Sequence, residues 1–139
     1  MNEKNPVIVH LITPYLFHTG SWVYSQLTGV KNFSNIVFTQ RRENAELFPF
    51  REVFSPEDFG YFKNISNKIY RRITDDYGLY FSKVTRDLHP RMFHAHLGFE
   101  AARWLAFVKN SGLPLITTFY GLDVSQFGRL EKWKKRYKI

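Results

Sequence analysis

His94-Ala95-His96-Leu97-Gly98-Phe99-Glu100-Ala101-Ala102-Arg103, followed by Leu113-Pro114-Leu115-Ile116-Thr117-Thr118-Phe119-Tyr120-Gly121-Leu122-Asp123, decides the fold of this chain. Each stretch reads as a strand end that delivers polar residues to a turn, with an alanine-rich helix between the two. A strand, a crossover helix and a second strand make the repeating unit of a parallel sheet. Such open sheets bind ligands just beyond the carboxyl ends of their strands, so function is expected near His96 and Asp123.

Working outward, the same alternation extends over the chain. Val7-Ile8-Val9-His10-Leu11-Ile12, between Pro6 and Pro14, is a compact β-branched run suited to a strand buried on both faces. Gly20-Ser21 opens a helix through Trp22-Val23-Tyr24-Ser25-Gln26-Leu27 that ends at Gly29, with Ser21 expected as its N-cap. Asn35 to Thr39 reads as the second strand and Phe50 to Phe54 as a short third one, with a charged loop from Gln40 to Phe48 between them. From Asn64 to Leu88, Ile65, Ile69, Ile73, Tyr77, Tyr80, Phe81, Val84 and Leu88 recur mostly at spacings of three and four. That spacing predicts an amphipathic helix, or a pair broken near Gly78. A strand from Met92 to His96, a helix from Phe99 to Lys109, a strand from Leu115 to Phe119 and a basic helical end complete the series. The expected fold class is α/β, three layers around a mainly parallel sheet.

Composition narrows the function classes. The 139 residues suit one average domain, expected to span 1–139, and 44 % hydrophobic with 18 % aromatic residues is a globular balance. With no cysteine, disulfides, thiolate metal sites and a Cys nucleophile are excluded. No apolar run approaches the roughly 20 residues of a membrane span, and Met1-Asn2-Glu3-Lys4-Asn5-Pro6 lacks a signal-peptide core. A cytoplasmic location is expected, with peripheral contact at the inner membrane face. Net charge is +8, and residues 129–139 hold six cations against Glu131 alone. Such a basic, aromatic tail suits an anionic membrane surface better than nucleic acid, for which no recognition motif is present. The chain stops without a helix-ending signal, which suggests a fragment of something longer.

Four groups of residues carry candidate chemistry. The loop Thr19-Gly20-Ser21 joins the first strand to the first helix, where backbone amides and the positive end of a helix suit an anion; a simple turn with a capping serine accounts for it equally well. It lacks G-x-G-x-x-G and the phosphate-loop G-x-x-x-x-G-K-[ST], which weighs against nicotinamide-type and P-loop chemistry. His94 and His96, two apart on a strand, share a face. Metal ligation by them needs further ligands that no spacing supplies, so one is expected in the core and the other, His96, at the ligand edge, where a near-neutral pKa suits acid–base work. Gly98 opens a helix whose Ala101, Ala102, Leu105 and Val108 form one face, with Glu100 in the first turn where the helix dipole favours a carboxylate. Asp123, after Tyr120-Gly121, sits either where acceptor hydroxyls are held or at the N-cap of the next helix.

Taken together, these residues resemble the N-terminal half of a GT-B glycosyltransferase of retaining family 4. The likeness rests on His94-Ala95-His96-Leu97-Gly98 with its Ala-rich helix, on Leu113 through Ser125, and on Thr19-Gly20 before Trp22 to Leu27. The resemblance implies an acceptor-side Rossmann-like domain facing a donor-binding domain whose Glu-rich motif this chain lacks. It implies His96 beside the reacting sugar as the catalytic residue, Gly20 in the loop that approaches the donor phosphates, and Asp123 in the strand-end motif lining the cleft. Thr19, Ser21, Gly98 and Tyr120 complete the expected substrate-binding set; many members carry His where this chain has Tyr120. The implied partners are a nucleotide-sugar donor and a glycan or lipid-linked acceptor, with no metal and no cofactor, and the isolated half is expected to be inactive. The contrasting expectation is a non-catalytic module that docks on anionic membrane or nucleic acid through its basic tail.

Overall fold

In the computed structural model, which describes residues 5–126 and 129–137, the chain folds around one five-stranded, wholly parallel sheet. The strands are β1 (Val7–Leu11), β2 (Ser34–Phe38), β3 (Val53–Phe54), β4 (Met92–His96) and β5 (Leu115–Thr118), in the order β3-β2-β1-β4-β5. The helices are α1 (Ser21–Gly29), α2 (Tyr61–Thr74), α3 (Phe81–Leu88), α4 (Gly98–Ser111), α5 (Leu122–Ser125) and α6 (Glu131–Tyr137). This is the expected Rossmann-like α/β/α arrangement: the chain runs outward from β1 through β2 to β3, then crosses back to the other side of β1 and continues through β4 to β5. The readings made of Met1 to Lys4, Lys138 and Ile139 fall outside the described residues. Among those described, no helix is long and apolar enough to cross a membrane.

Period-two alternation divides the central strands between two cores. Val9 and Leu11 of β1, Ile36 and Phe38 of β2, and Phe93 and Ala95 of β4 face Phe81 of α3 and Trp104, Phe107 and Val108 of α4. On the opposite face Ile12 and Val37 meet Val23 and Leu27 of α1. The buried side of α4 is therefore the Trp104-Phe107-Val108 stripe, with Ala101 only at its margin, rather than the alanine face expected from the sequence. The aromatic stock of the chain fills this side, and its large rings leave the alanines on the flank. Phe38 alone lies within 6.5 Å, centroid to centroid, of Phe81, Phe93, Trp104 and Phe107.

Two boundaries differ from the sequence reading, and a third open point is settled. The third strand keeps only Val53 and Phe54, because those two residues alone find partners in β2, Val37 and Phe38. Gly20, not Ser21, caps α1; no side chain caps it, and Ser21 is the exposed first residue of the helix. The long periodic stretch is indeed two helices, broken between Asp75 and Tyr80. Asp75, in left-handed conformation, closes α2 and then accepts ion pairs from Arg103 at 3.2 Å, Lys132 at 3.0 Å and Arg136 at 2.8 Å. Burial alone raises the pKa of its carboxyl, but Lys132, Arg103 and Arg136 together hold it below the ordinary range. Through Asp75, and through buried Trp133 packing on α4, the basic helix α6 is folded onto the body of the domain.

Gly78, at the break, is pressed against α4. A Cβ there would stand 2.1 Å from the Cβ of Phe107, an atom that cannot move without the α4 backbone. Gly78→Ala is expected to cost about 1–3 kcal/mol in urea denaturation by overpacking. Gly29→Ala, at the end of α1 with open space around it, is expected to be stabilising by up to about 1 kcal/mol.

Candidate functional site

The strand order reverses between β1 and β4, and the carboxyl ends of those two strands frame the crevice where ligands of such sheets bind. Parallel pairing in register places His10 of β1 directly beside His94 of β4, and His96 beside Thr118 of β5. All three imidazoles share the sheet face that α1 only partly covers. His10 Nδ1 and His96 Nε2 are 3.0 Å apart, His10 Nε2 lies 3.1 Å from Asn35 Oδ1, and His96 Nδ1 lies 3.2 Å from Tyr120 Oη. A continuous hydrogen-bonded chain thus runs Asn35–His10–His96–Tyr120 across three strands to the rim. Asn35 is itself fixed by donating Nδ2 to the carbonyls of Leu27 and Val30 at the end of α1.

Burial keeps these rings neutral. Desolvation lowers the pKa of all three histidines, and their mutual repulsion as cations adds to it for His10 and His96. A neutral imidazole offers one donor and one acceptor, which is what the chain of bonds requires. The expectation that His96 is the edge histidine and its neighbour the core one is reversed. His96 is fully buried because Trp22 and Tyr120 close over it, their own rings 3.9 Å apart; His94 is partly exposed, and among the described residues no helix covers β4 and β5 on that face. His94 Nε2 lies 2.8 Å from Thr118 Oγ1.

Asp123 lies inside α5 rather than at its N-cap. It is fully buried within α5; Oδ2 accepts from the Gly98 N–H at 2.7 Å and Oδ1 from the Tyr120 N–H at 2.8 Å. The carboxylate thus caps the start of α4 and ties the two strand-end turns together. Gly98 is closely packed: a Cβ there would meet the Phe119 ring at 2.3 Å, so that half-exposed side chain would have to move aside. Leu97, between His96 and Gly98, has φ of 88°, a conformation that side chains rarely adopt and that marks stored strain at this turn. Gly20 is buried, with its bare Cα against the Phe17 carbonyl rather than open to a ligand, while Thr19 and Ser21 beside it are exposed.

Three residues of the site were not singled out from the sequence: His10, Asn35 and Trp22. The available signal for His10 was its position as the one polar residue inside an otherwise apolar strand. His10, His94 and His96 have ring nitrogens within 4.8 Å of one another, so the third ligand missing from the sequence reading exists. A borderline divalent cation would suit such neutral imidazoles, but ligation would have to break the His10–His96 bond. A cavity of about 750 Å³ lies elsewhere, at the amino ends of β4 and β5 beside His89, Arg91 and Leu113. No protein-family profile, no curated protein and no solved structure matches the chain.

Glu100 lies beneath this rim on the other face, fully buried, accepting from Trp104 Nε1 at 3.2 Å and 4.0 Å from Arg103 Nη1. Burial pushes its carboxyl from 4.5 up to about 7, so the dipole position read from sequence holds a largely desolvated acid. A raised folded pKa contributes stability that is complete below 4.5 and lost as pH rises through about 7. Glu100→Gln should therefore gain on the wild type by up to about 3 kcal/mol between pH 4.5 and 8, measured by denaturant titration. The histidines act with the opposite sign: their lowered folded pKa makes stability complete above 6.5 and progressively lost as pH falls below it. Asp123→Ala, which strips partners from the Gly98 and Tyr120 amides, should cost about 2–4 kcal/mol in the same measurement.

Proposed function

We propose that this domain is the acceptor-side half of a retaining glycosyltransferase, which moves a sugar from a nucleotide-sugar donor to a glycan or lipid-linked acceptor. The observation that carries the reading is the neutral chain Asn35–His10–His96–Tyr120, roofed by Trp22, at the point where the strand order reverses. A sugar is uncharged, dense in hydroxyls and has apolar ring faces. A neutral imidazole and phenol that donate and accept, beside an indole face, match that chemistry without the desolvation cost of a buried ion.

In this reading His96 holds Tyr120 at rest and touches the sugar only when Tyr120 and Trp22 turn aside. Its Nδ1 then meets a hydroxyl of the substrate, and His10 fixes the tautomer through Nε2. Asp123 is a positioning residue: it holds the Tyr120 backbone and the start of α4, so that the strand-end turns keep their spacing. The donor diphosphate is assigned to the second domain that the resemblance implies, which supplies the charge stabilisation of the departing phosphate. Transfer therefore requires both halves.

The test is an NMR titration of the Trp22 indole N–H signal with nucleotide sugars and with oligosaccharides. Saturable shifts with a saccharide are expected, weakened at least tenfold in His96→Ala. In a protein that also carries the donor domain, His96→Ala should lower kcat roughly 10²-fold. Absence of any response at Trp22 to either ligand class, or identical binding and turnover by His96→Ala, would overturn the assignment.

A further inference from the structure

Helix α2 is packed inside out. Its polar side faces the domain: Asn67, 1 % exposed, donates to Gln40 Oε1 at 2.7 Å, and Gln40 in turn donates to the Tyr77 carbonyl. Ser66 meets Tyr80 at 2.9 Å, and Tyr70 donates to Asp76. The apolar side faces outward, with Tyr61, Phe62, Ile65, Ile69 and Ile73 being 74, 85, 39, 57 and 79 % exposed. At about 100° per residue these five fall on an arc of about 120° along a helix about 21 Å long. Single exposed apolar residues are ordinary, but a continuous stripe marks a surface that meets something.

The charge of the helix identifies what it meets. Every ionic residue of α2 is cationic, namely Lys63, Lys68, Arg71 and Arg72. Arg71 and Lys63 lie over the rings of Tyr77 and Tyr80, whereas Lys68 and Arg72 are exposed along the Tyr61 margin of the stripe. A second copy of this face, brought up by a two-fold axis, would set cations against cations. An anionic lipid surface instead accepts an aromatic and aliphatic stripe into its interface while its headgroups pair with the flanking cations. We infer that α2 is a membrane-docking helix that lies in the plane of an anionic bilayer, with Phe62, Ile69 and Ile73 entering the acyl boundary. This stands apart from the sugar-transfer reading, since it uses neither His96 nor the crevice. It also assigns the membrane contact to α2 rather than to α6, whose Lys132 and Arg136 are engaged by Asp75.

The experiment is flotation of the whole chain with phosphatidylglycerol-containing vesicles and with pure phosphatidylcholine vesicles. Light scattering is run in parallel without lipid. Binding is expected to the anionic vesicles only, weakening with added salt. It should fall at least tenfold in Phe62→Ser/Ile69→Ser/Ile73→Ser, whose exposed positions leave the circular dichroism unchanged. Lys68→Glu/Arg72→Glu should lose the salt-sensitive part while keeping the fold. Three results would overturn the inference: no vesicle binding by the wild type, equal binding by the triple serine variant, or a stable dimer in solution that the triple variant converts to monomer.

Discussion

The whole arrangement depends on β1 lying between β2 and β4 with all three strands parallel. A central strand paired in the same direction on both sides has no free edge, and the loops that leave the carboxyl ends of the three strands all emerge at one rim. The same pairing fixes register residue by residue, and register decides chemistry here. A slip of β1 by one position would turn His10 into the aromatic core and bring Val9 to the open face, and the same slip of β4 would exchange His94 and Phe93. The cost of burying unpartnered imidazoles against Phe38 and Trp104 is what makes such a slip prohibitive.

The two sides of the sheet do different work. One is a dense aromatic core that anchors α3 and α4. The other is sparsely covered, and what would be a hydrophobic face carries His10, Asn35, His94, His96 and Thr118, joined in pairs or chains. These polar groups are tolerated near the middle of the domain because each has a partner. Their satisfaction is bought with rigidity: Asn35 spends both amide hydrogens on the end of α1, and Tyr120 is held at its backbone by Asp123.

Much of this was legible in the residues. The strands Val7–Leu11 and Met92–His96 are short apolar runs bounded by turn-forming residues, and the break between α2 and α3 follows from Gly78 among otherwise periodic positions. Cross-strand relations were not legible, since nothing local to Val9-His10-Leu11 indicates that His10 will meet His96, 86 positions away. Nor does spacing alone say which side of an amphipathic helix is covered. In α3 the apolar side turns inward through Phe81, while in α2 the amide pairing of Asn67 with Gln40 turns it out. Asp123 was undecidable for a similar reason, because its partner amides belong to turns separated by an entire helix.

Strand β5 forms one margin of the sheet, with Ile116 half-exposed and, among the described residues, no helix above it on that side. Unpaired backbone groups along such a margin form a template, and the geometry of the template dictates direction as well as position. A further segment zipping onto β5 in the prevailing sense would finish beside Tyr120. It would shelter Ile116 and His94 together, and so change which side chains of the open face meet solvent.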